Sequence, residues 1–383
     1  LCDRRQRQMC IRDRVLHYVS IMNRAGQETF LMNMYRKIDR EKIQFGFLCT
    51  VDEEGDYDAE IKELGGEIYH FSLSAAGGAA GQIKNYKAVK HAFRKYTDEY
   101  DIIHIHNYHA FDMTLSAIAA LRAGAKKVVV HSHNSSADYH MELHKVFRPI
   151  ISHLPVTRLA CTQDAGKWMY TTNDFQVISN GIDVEKFKYN SKIRDQVRTE
   201  LGLKEKFVIG HVGRFETQKN HELIMKVFSQ YAKEDEEAVL LLVGTGSLQD
   251  KMKATARSLK IEDRVNFLGV RSDINDLYQG MDLFFFPSLF EGLGIVAIEA
   301  QVAGLPCIFT KTLPKELDIS DEIIRCNLNA GIEEWVAAIK KAKNLSKTST
   351  RSDNIEKVRN AGFDAEYSMT CLTKVYLEKE QKK

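Results

Sequence analysis

The sequence lacks the features that mark a disulfide-stabilised, membrane-spanning or strongly charged protein. Its 7 cysteines are scattered, odd in number and never spaced Cys-x-x-Cys, which predicts reduced thiols rather than a disulfide framework. No apolar run approaches the roughly 18 residues that a membrane span requires. The formal net charge is only +2, so no overall field favours nucleic acid as a partner. We expect a cytoplasmic protein that is at most peripheral to a membrane.

Length and composition predict two domains. The 383 residues are 44% hydrophobic, enough for two sizeable cores. Residues 1–14, LCDRRQRQMCIRDR, are basic and aperiodic, and we interpret them as a tag or an artefact outside the fold rather than an RNA-binding arm.

Short apolar runs alternate with helical patterns, which predicts parallel sheets covered on both faces. The polar, strand-poor residues 179–205 separate two such series and are interpreted as a linker between domains at 15–178 and 206–362. The predicted fold class is α/β, with two doubly wound, Rossmann-like domains facing an interdomain cleft. The candidate strands are VLHYVS, FGFLCT, EIYHFS, DIIHIHN, KVVVHSHN and RLACT, then FVIGHVG, AVLLLVG, VNFLG, LFFFPS and PCIFT.

Residues that directly follow strands are the candidates for ligand binding, because ligands of open α/β sheets bind at the carboxyl ends of strands. Gly213 ends the run FVIGHVG and would let backbone approach a ligand, while Arg214, which follows it, and Lys219 could clamp a diphosphate from one loop. A solvated pair of cations before a helix is the alternative. Gly244 and Gly246 form a second bare turn, which by itself is also typical of an ordinary strand-to-helix connection.

The stretch FPSLFEGLGIVAIEAQVAGLP, residues 286–306, predicts a strand, a turn and a helix. Gly292 and Gly294 expose amides at a helix N-terminus, which favours a phosphate. Glu299 lies about one turn inside the helix, where a carboxylate would repel phosphate, so a neutral diol such as a ribose is its expected partner. Glu291 lies on the turn, nearer to a group beyond the diphosphate. These features together suit a nucleotide sugar, although Glu299 alone could be a plain helix stabiliser.

Five motifs in order resemble the retaining glycosyltransferases of family 4, which have the GT-B fold. EGLGIVAIE resembles the Glu-x7-Glu element, and GRFETQKN resembles the Gly-Arg…Lys loop. SNGID, GTGSLQ and MNRAGQETFLMNMYRKID fit the same family, particularly its bacterial exopolysaccharide and capsule branch. The resemblance extends from Val15 to the end of the sequence.

This resemblance implies transfer of a sugar from a nucleotide-diphospho-sugar, most simply a UDP-sugar, with retained configuration and without a metal or other cofactor. Arg214 and Lys219 would hold the diphosphate, Glu299 the ribose hydroxyls and Glu291 the donor sugar. The acceptor implied is a saccharide or lipid-linked saccharide. The backbone amides implied at the donor sugar are those of Gly292, Leu293, Gly294 and Ile295.

The resemblance also assigns the first domain to the acceptor side. Gly26 would let backbone approach the donor or the acceptor, but Ala25 stands where the family usually has a first glycine, which makes this role less secure. The last helix, within 363–383, would cross back to brace the first domain.

Four histidines lie at strand ends of the first domain. The resemblance aligns His133 with a histidine that contacts the donor sugar or the reaction centre, with His131 as second choice. His104 and His106 are equally well interpreted as structural. Because alternate residues of a strand share a face, a metal site is the open alternative, but none is expected.

Other functional classes compete with sugar transfer. Asp56 and Asp58 in DYD resemble the Asp-x-Asp of metal-dependent glycosyltransferases, but they lie in an acidic run typical of a solvated loop. A nucleotide-sugar epimerase of the same fold and a non-catalytic nucleotide-binding module stay open. A nicotinamide dehydrogenase is disfavoured because no Gly-x-Gly-x-x-Gly follows the first strand.

One segment suggests contact with a membrane surface. Basic and apolar residues interleave in ELHKVFRPIISHL, residues 142–154, and the family often uses lipid-linked acceptors. An ordinary covered helix is the alternative.

Overall fold

The computed structural model describes residues 13–75, 78–135, 141–348, 351 and 353–378. Residues 1–12 of the segment interpreted as a tag therefore lie outside the described residues, whereas Asp13 and Arg14 belong to the first strand, so the predicted boundary was two residues too late. The chain forms two compact units, one from residues 1–181 together with 365–383, the other from residues 182–364.

The first unit is built on a parallel seven-stranded sheet in the order β3-β2-β1-β4-β5-β6-β7. Its strands are β1 Asp13–Val19, β2 Ile43–Cys49, β3 Glu67–His70, β4 Ile102–Asn107, β5 Lys127–Ser132, β6 Thr157–Ala160 and β7 Gln176–Val177. Its helices are α1 Gly26–Lys37, α2 Asp58–Glu63, α3 Gly78–Tyr96, α4 Ala110–Ala123, α5 Met141–His153 and α6 Gln163–Met169, with the C-terminal α15 Ala365–Leu377.

The second unit repeats this plan with a parallel six-stranded sheet in the order β10-β9-β8-β11-β12-β13. Its strands are β8 Phe207–Val212, β9 Ala238–Val243, β10 Val265–Phe267, β11 Leu283–Phe286, β12 Cys307–Thr310 and β13 Ile323–Cys326. Its helices are α7 Val184–Phe187, α8 Ser191–Glu200, α9 His221–Tyr231, α10 Gln249–Ser258, α11 Ile274–Gly280, α12 Ile295–Val302, α13 Ile332–Thr348 and α14 Ile355–Asn360.

The strands are apolar runs because helices cover both faces of each sheet. Every residue of β2, β8, β9 and β11 is buried. Leu242 and Phe285, on two strands of the second sheet, pack in one core with Trp335 of α13, and all three are 0% exposed. The predicted α/β class with two Rossmann-like halves is therefore confirmed.

The stretch interpreted as a linker contains two helices, and all of it beyond Gly181 falls in the second unit. Helix α8 buries Val197 and is also anchored by charge. Asp282 accepts from Arg194 at 2.5 Å and from Arg198 at 3.1 Å. Composition alone does not predict such a helix, because Asp282, the residue that anchors it, is remote in sequence.

Each sheet reverses its strand order at one point, which is where doubly wound folds bind ligands. In the first unit this point lies between β1 and β4, and in the second between β8 and β11. The loops that leave these four strands are therefore the first places to look for a site. Among the described residues, no helix is both long and apolar enough to cross a bilayer.

Candidate functional site

The loops that leave β8 and β11 are bonded to each other at the switch point of the second unit. Leu289 donates its backbone N–H to the carbonyl of Gln218 at 2.8 Å. The Gln218 side chain donates to the carbonyl of Phe290 at 2.9 Å, and Asn220 donates to the carbonyl of Pro287 at 3.2 Å. The cationic loop and the glycine-bearing turn, both predicted from sequence, thus form one structure.

An ion pair lies where the two loops meet. Lys219 Nζ is 2.5 Å from Glu291 Oε1, and the side chains are 15% and 7% exposed. Gln218 lies 3.3 Å from the other Glu291 oxygen, and Lys219 Nζ lies 4.9 Å from the centre of the Phe286 ring. The sequence assigned Lys219 and Glu291 to different parts of a ligand; here each compensates the other's charge.

The turn after β11 leads directly into the N-terminus of α12. Gly294 caps this helix with a φ of +80°, and a Cβ there would lie 3.1 Å from the Phe286 ring. The first amides of a helix have no intrahelical acceptor and favour an anion. Leu293 and Ile295 bury their side chains, so they can contribute to ligand binding through their backbone amides.

Glu299 lies inside α12 and is 7% exposed. Burial raises the pKa of Glu299 to about 7, even though the Tyr278 hydroxyl, 3.0 Å from Oε2, favours its charged form. The same hydroxyl is 3.1 Å from the carbonyl of Val296. Sequence reasoning missed Tyr278, because nothing in its local pattern distinguishes it from a core tyrosine.

The remaining predicted residues of this unit surround the loop after β8. Arg214 is exposed and Gly213 is partly exposed. A Cβ on Gly244, whose φ is +129°, would lie 2.2 Å from the carbonyl oxygen of Gly213. A Cβ on Gly246 would lie 2.7 Å from the backbone of Phe215. Both glycines are therefore needed for close packing against the Arg214 loop, apart from any contact with a ligand.

In the first unit, five buried histidines lie on the neighbouring strands β1, β4 and β5 or directly after β5. They are His17, His104, His106, His131 and His133. His104 is the register partner of His17, and His131 is that of His106. Burial lowers the pKa of His17 and of His133 to about 3 and holds the pKa values of the other three well below the usual range. All five are accordingly neutral near pH 7.

The histidines are joined by hydrogen bonds. His106 Nε2 is 2.9 Å from His17 Nδ1, and its Nδ1 is 2.9 Å from His133 Nε2. Groups of three ring nitrogens here lie within 4.8 Å of one another, as a metal would need. The two 2.9 Å distances are those of hydrogen bonds between the rings.

His133 also has a neighbour that the sequence reasoning did not single out. The side chain of Asn180 raises the pKa of His133 as a hydrogen-bond partner, less strongly than burial lowers it. Asn180 is 5% exposed and belongs to the SNGID motif, which was the available signal.

The other residues singled out in the first unit are Gly26 and the two aspartates of DYD. Gly26 is exposed at the start of α1, and a Cβ there would meet nothing within 4 Å, so the chain itself does not require glycine. The two aspartates of DYD are engaged separately. Asp56 accepts from the backbone of Arg24 at 3.0 Å, whereas Asp58 is 2.7 Å from His70.

Two Rossmann-like halves, with a cation-bearing loop bonded to a helix N-terminus at one switch point, define the class of GT-B glycosyltransferases. The family models agree: "Glycosyl transferases group 1" matches residues 193–359 and "Glycosyltransferase Family 4" matches residues 24–186. The chain belongs to this glycosyltransferase family.

Relatives and solved structures resemble the chain over most of its length. The putative glycosyltransferase EpsF of Bacillus subtilis is 32% identical over 375 residues, 95% of this chain and 96% of that protein. The UDP-Gal:alpha-D-GlcNAc-diphosphoundecaprenol alpha-1,3-galactosyltransferase of Escherichia coli is 32% identical over 303 residues, 74% of this chain and 76% of that protein. The crystal structure of Anabaena HepE with UDP-glucose superimposes with a TM-score of 0.78 at 20% identity, covering 95% of this chain and 99% of that one.

Proposed function

We propose that this glycosyltransferase transfers a sugar from a UDP-sugar to a saccharide or lipid-linked saccharide acceptor during exopolysaccharide synthesis. Transfer retains the anomeric configuration, requires no metal ion and takes place in the cytoplasm. The observation that carries the proposal is the bonded pair of loops in the second unit, where Lys219 meets Glu291 at 2.5 Å.

The chemistry of the loops suits a diphosphate leaving group. Departure of a nucleoside diphosphate builds up negative charge, which Arg214, Lys219 and the amides at the start of α12 can stabilise. The positive charge of Lys219 is held at 15% exposure, where solvent screens it less than at the surface. These cations and amides supply the charge that a metal provides in other transferases, which supports metal independence.

Donor binding must rearrange the ion pair between Lys219 and Glu291. A diphosphate offers Lys219 a new anionic partner, and Glu291 is then released to accept hydrogen bonds from sugar hydroxyls. Glu299, one turn into α12, accepts from the ribose. The phosphate contact of Lys219 and the sugar contact of Glu291 are thereby coupled, because neither residue can change its partner without releasing the other.

The choice of donor and acceptor rests on the relatives. The E. coli relative is named for a UDP-galactose donor and a diphosphoundecaprenol-linked acceptor. The Anabaena HepE structure contains UDP-glucose. A uridine donor and a polyisoprenoid-linked acceptor are accordingly the first compounds to test.

Substitution of Lys219 tests the proposal against a matched control. Lys251 and Glu222 form an equally short ion pair, 2.5 Å, at the surface of the same unit. Lys219→Ala is expected to weaken UDP binding at least tenfold in titration calorimetry, whereas Lys251→Ala leaves it unchanged. Equal UDP affinity in the two variants and the wild type would remove the donor assignment.

Retention and metal independence need their own readouts. With a UDP-sugar and a lipid-linked acceptor, proton NMR of the product is expected to show the donor's anomeric configuration, and the rate should survive excess EDTA. An inverted product or loss of activity reversed by a divalent cation would contradict these parts of the proposal. Conversion of the UDP-sugar without any acceptor would favour an epimerase instead.

We also propose that α5 contacts an anionic membrane surface. Leu143, Val146 and Ile150 are 38%, 60% and 41% exposed and, at spacings of three and four, form one apolar stripe on this helix. Lys145, between them in sequence, is also exposed. Such a stripe with a neighbouring cation fits the headgroup region of a bilayer that carries a lipid-linked acceptor.

Vesicle flotation tests this contact. The protein is expected to float with vesicles that contain phosphatidylglycerol and less with neutral vesicles, and Val146→Glu should abolish flotation. Ile83→Glu is the matched control, since Ile83 is 57% exposed on α3, outside the stripe. Equal recovery of wild type and Val146→Glu would end the membrane proposal.

A further inference from the structure

Three of the buried histidines form a continuous hydrogen-bonded chain from the interior of the first sheet to its carboxyl edge. His17 contacts His106, and His106 contacts His133, each pair at 2.9 Å between ring nitrogens. Exposure rises along the chain from 0% at His17 through 4% to 9% at His133. The predicted ligand-contacting histidine is therefore the outermost member of a chain.

A chain of neutral imidazoles can carry its protons in only two arrangements. Each neutral ring has one N–H and one bare nitrogen, so each ring must donate to one neighbour and accept from the other. In the first arrangement His17 donates to His106, His106 donates to His133, and the proton of His133 is on Nδ1. In the second every bond is reversed, and His133 presents a bare Nδ1.

The surroundings of His17 favour the first arrangement. Its outer nitrogen, Nε2, has no hydrogen-bond partner among the described residues, and the ring packs against Phe45 and Phe47 at centroid distances of 4.3 Å and 5.4 Å. The second arrangement would place an N–H on this nitrogen, and a buried donor without an acceptor is rarer in proteins than a buried acceptor without a donor. The proton of His17 is thus expected on Nδ1, directed at His106.

The other end of the chain agrees independently. The Asn180 side chain stabilises the protonated form of His133, as an acceptor oxygen would. Both His133 Nδ1 and Asn180 Oδ1 are buried, and neither has a partner of ordinary hydrogen-bond geometry in the described residues. A hydroxyl group can accept from a ring N–H and donate to an amide oxygen, so a ligand hydroxyl would satisfy both atoms.

We propose that His17 and His106 are positioning residues that keep the proton of His133 on Nδ1, so that His133 and Asn180 together bind one hydroxyl of the sugar. This inference rests on the proposed function for the identity of the ligand as a sugar, and on the sequence resemblance, which aligns His133 with a histidine that contacts the donor sugar. The arrangement of protons within the chain is a property of the free protein.

Nitrogen NMR of protein labelled with ¹⁵N in histidine tests the proton positions directly. Bare and protonated ring nitrogens resonate far apart, and the His133 signals are assigned from their loss in His133→Ala. We expect Nδ1 of His133 to carry the proton in the wild type. In His17→Phe, which keeps an aromatic ring without a donor, the proton should move partly or wholly to Nε2. In His17→Asn, whose amide nitrogen can replace Nδ1, it should stay on Nδ1.

His104→Phe is the matched control, since His104 is equally buried but bonds to Tyr376 at 2.7 Å instead of joining the chain. It should leave the His133 signals in place. A proton on Nε2 of His133 in the wild type would overturn the inference, as would an unchanged His133 spectrum in a folded His17→Phe. The wild-type spectrum decides even where a variant fails to fold.

Ligand binding separates this inference from the proposed function. His17→Phe should weaken binding of a UDP-sugar about tenfold and leave UDP binding unchanged, and His17→Asn should restore it. Equal UDP-sugar affinity in wild type and His17→Phe would show that the chain does not serve the sugar. Failure of the wild type to bind any UDP-sugar would defeat the proposed function, while the NMR result would still decide the proton arrangement.

Discussion

Two glutamates of the second unit differ in how their surroundings treat the carboxylate charge. Glu291 is compensated by Lys219 at 2.5 Å. Glu299 has the neutral Tyr278 hydroxyl at 3.0 Å, and burial raises its pKa to about 7. Near neutral pH, Glu299 is thus divided between its charged and uncharged forms, and a ligand that donates two hydroxyls selects the charged one.

Binding of a nucleotide sugar should therefore depend on pH through Glu299. Below its pKa of about 7 the free site holds a protonated acid, which accepts hydrogen bonds from ribose poorly. Affinity for a UDP-sugar is expected to fall about tenfold from pH 8 to pH 6, and Glu299→Gln should flatten this dependence. A UDP-sugar is the right probe, because its diphosphate does not titrate there. An unchanged pH profile in Glu299→Gln would contradict the assignment.

The same pKa shift predicts the sign of a stability effect. The folded pKa of Glu299 lies above the ordinary value of 4.5, so the folded state holds more protons between these values. The free energy of unfolding should therefore fall as pH rises from about 4.5 to about 7. Urea unfolding of wild type and Glu299→Gln measures this effect. The free energy of unfolding of the variant, relative to that of the wild type, should be higher at pH 8 than at low pH. The opposite sign would mean that the folded pKa of Glu299 lies below its ordinary value, and would contradict the shift.

At the scale of elements, the turn between β11 and α12 depends on one backbone conformation. Gly294 has a φ of +80°, and a Cβ added at this position would lie 3.1 Å from the Phe286 ring. Any other residue there must strain the backbone and displace an aromatic ring that also faces Lys219. The proposed anion site and the core of the unit thus share this turn.

Gly294→Ala is expected to weaken UDP binding more than tenfold and to destabilise the second unit by about 1–2 kcal/mol. Gly269→Ala is its control, because Gly269 has a similar φ of +66° with nothing within 4 Å of the added Cβ. Calorimetric titration and thermal unfolding of both variants separate two effects. Gly269→Ala reports backbone strain alone, whereas Gly294→Ala adds crowding of the Phe286 ring. Equal UDP affinity in the two variants would show that the turn geometry is unimportant for binding.

Sequence patterns predicted those elements whose signals are local. Eleven of the strands follow from continuous apolar runs, because buried parallel strands need them. The edge strands β7 and β13 were missed: β7 is two exposed residues, and β13 has an arginine within it. Charge-anchored α8 was missed because its partner, Asp282, is remote in sequence.

The residues of the candidate site divide in the same way, into those with a local sequence signal and those without one. Lys219 and Glu291 were identified because glycine, cations and carboxylates following strands are unusual. Gln218 and Tyr278 were not, since their importance comes from the partners they reach, Phe290 and Glu299. Local sequence does not encode such contacts.

At the scale of the whole molecule, the chain returns to the first unit after completing the second. Helix α15 belongs to the first unit, where the Tyr376 hydroxyl lies 2.7 Å from His104. Lys127 donates to the carbonyls of Val375 at 2.5 Å and Glu378 at 2.7 Å. Residues 365–378 therefore stabilise the half of the molecule that is first in sequence.

Truncation after Asp364 should destabilise the first unit and leave the second unit unchanged. Loss of α15 is expected to lower the melting temperature of the first unit and to leave UDP binding by the second within about twofold, because every residue proposed to contact UDP lies within 182–364. Hydrogen exchange would locate the loss, with faster exchange in β1 and β4. Unchanged exchange in both strands would contradict the bracing role of α15.

The central claim is that the Arg214–Lys219 loop and the N-terminus of α12 hold the same diphosphate. A crystal structure of the chain with UDP tests it most directly. The account predicts both phosphates between Lys219 and the amides of Gly292 to Ile295, with Glu299 on the ribose and the contact between Lys219 and Glu291 broken or lengthened. A nucleotide bound elsewhere, or phosphates that contact only one of these two elements, would contradict it.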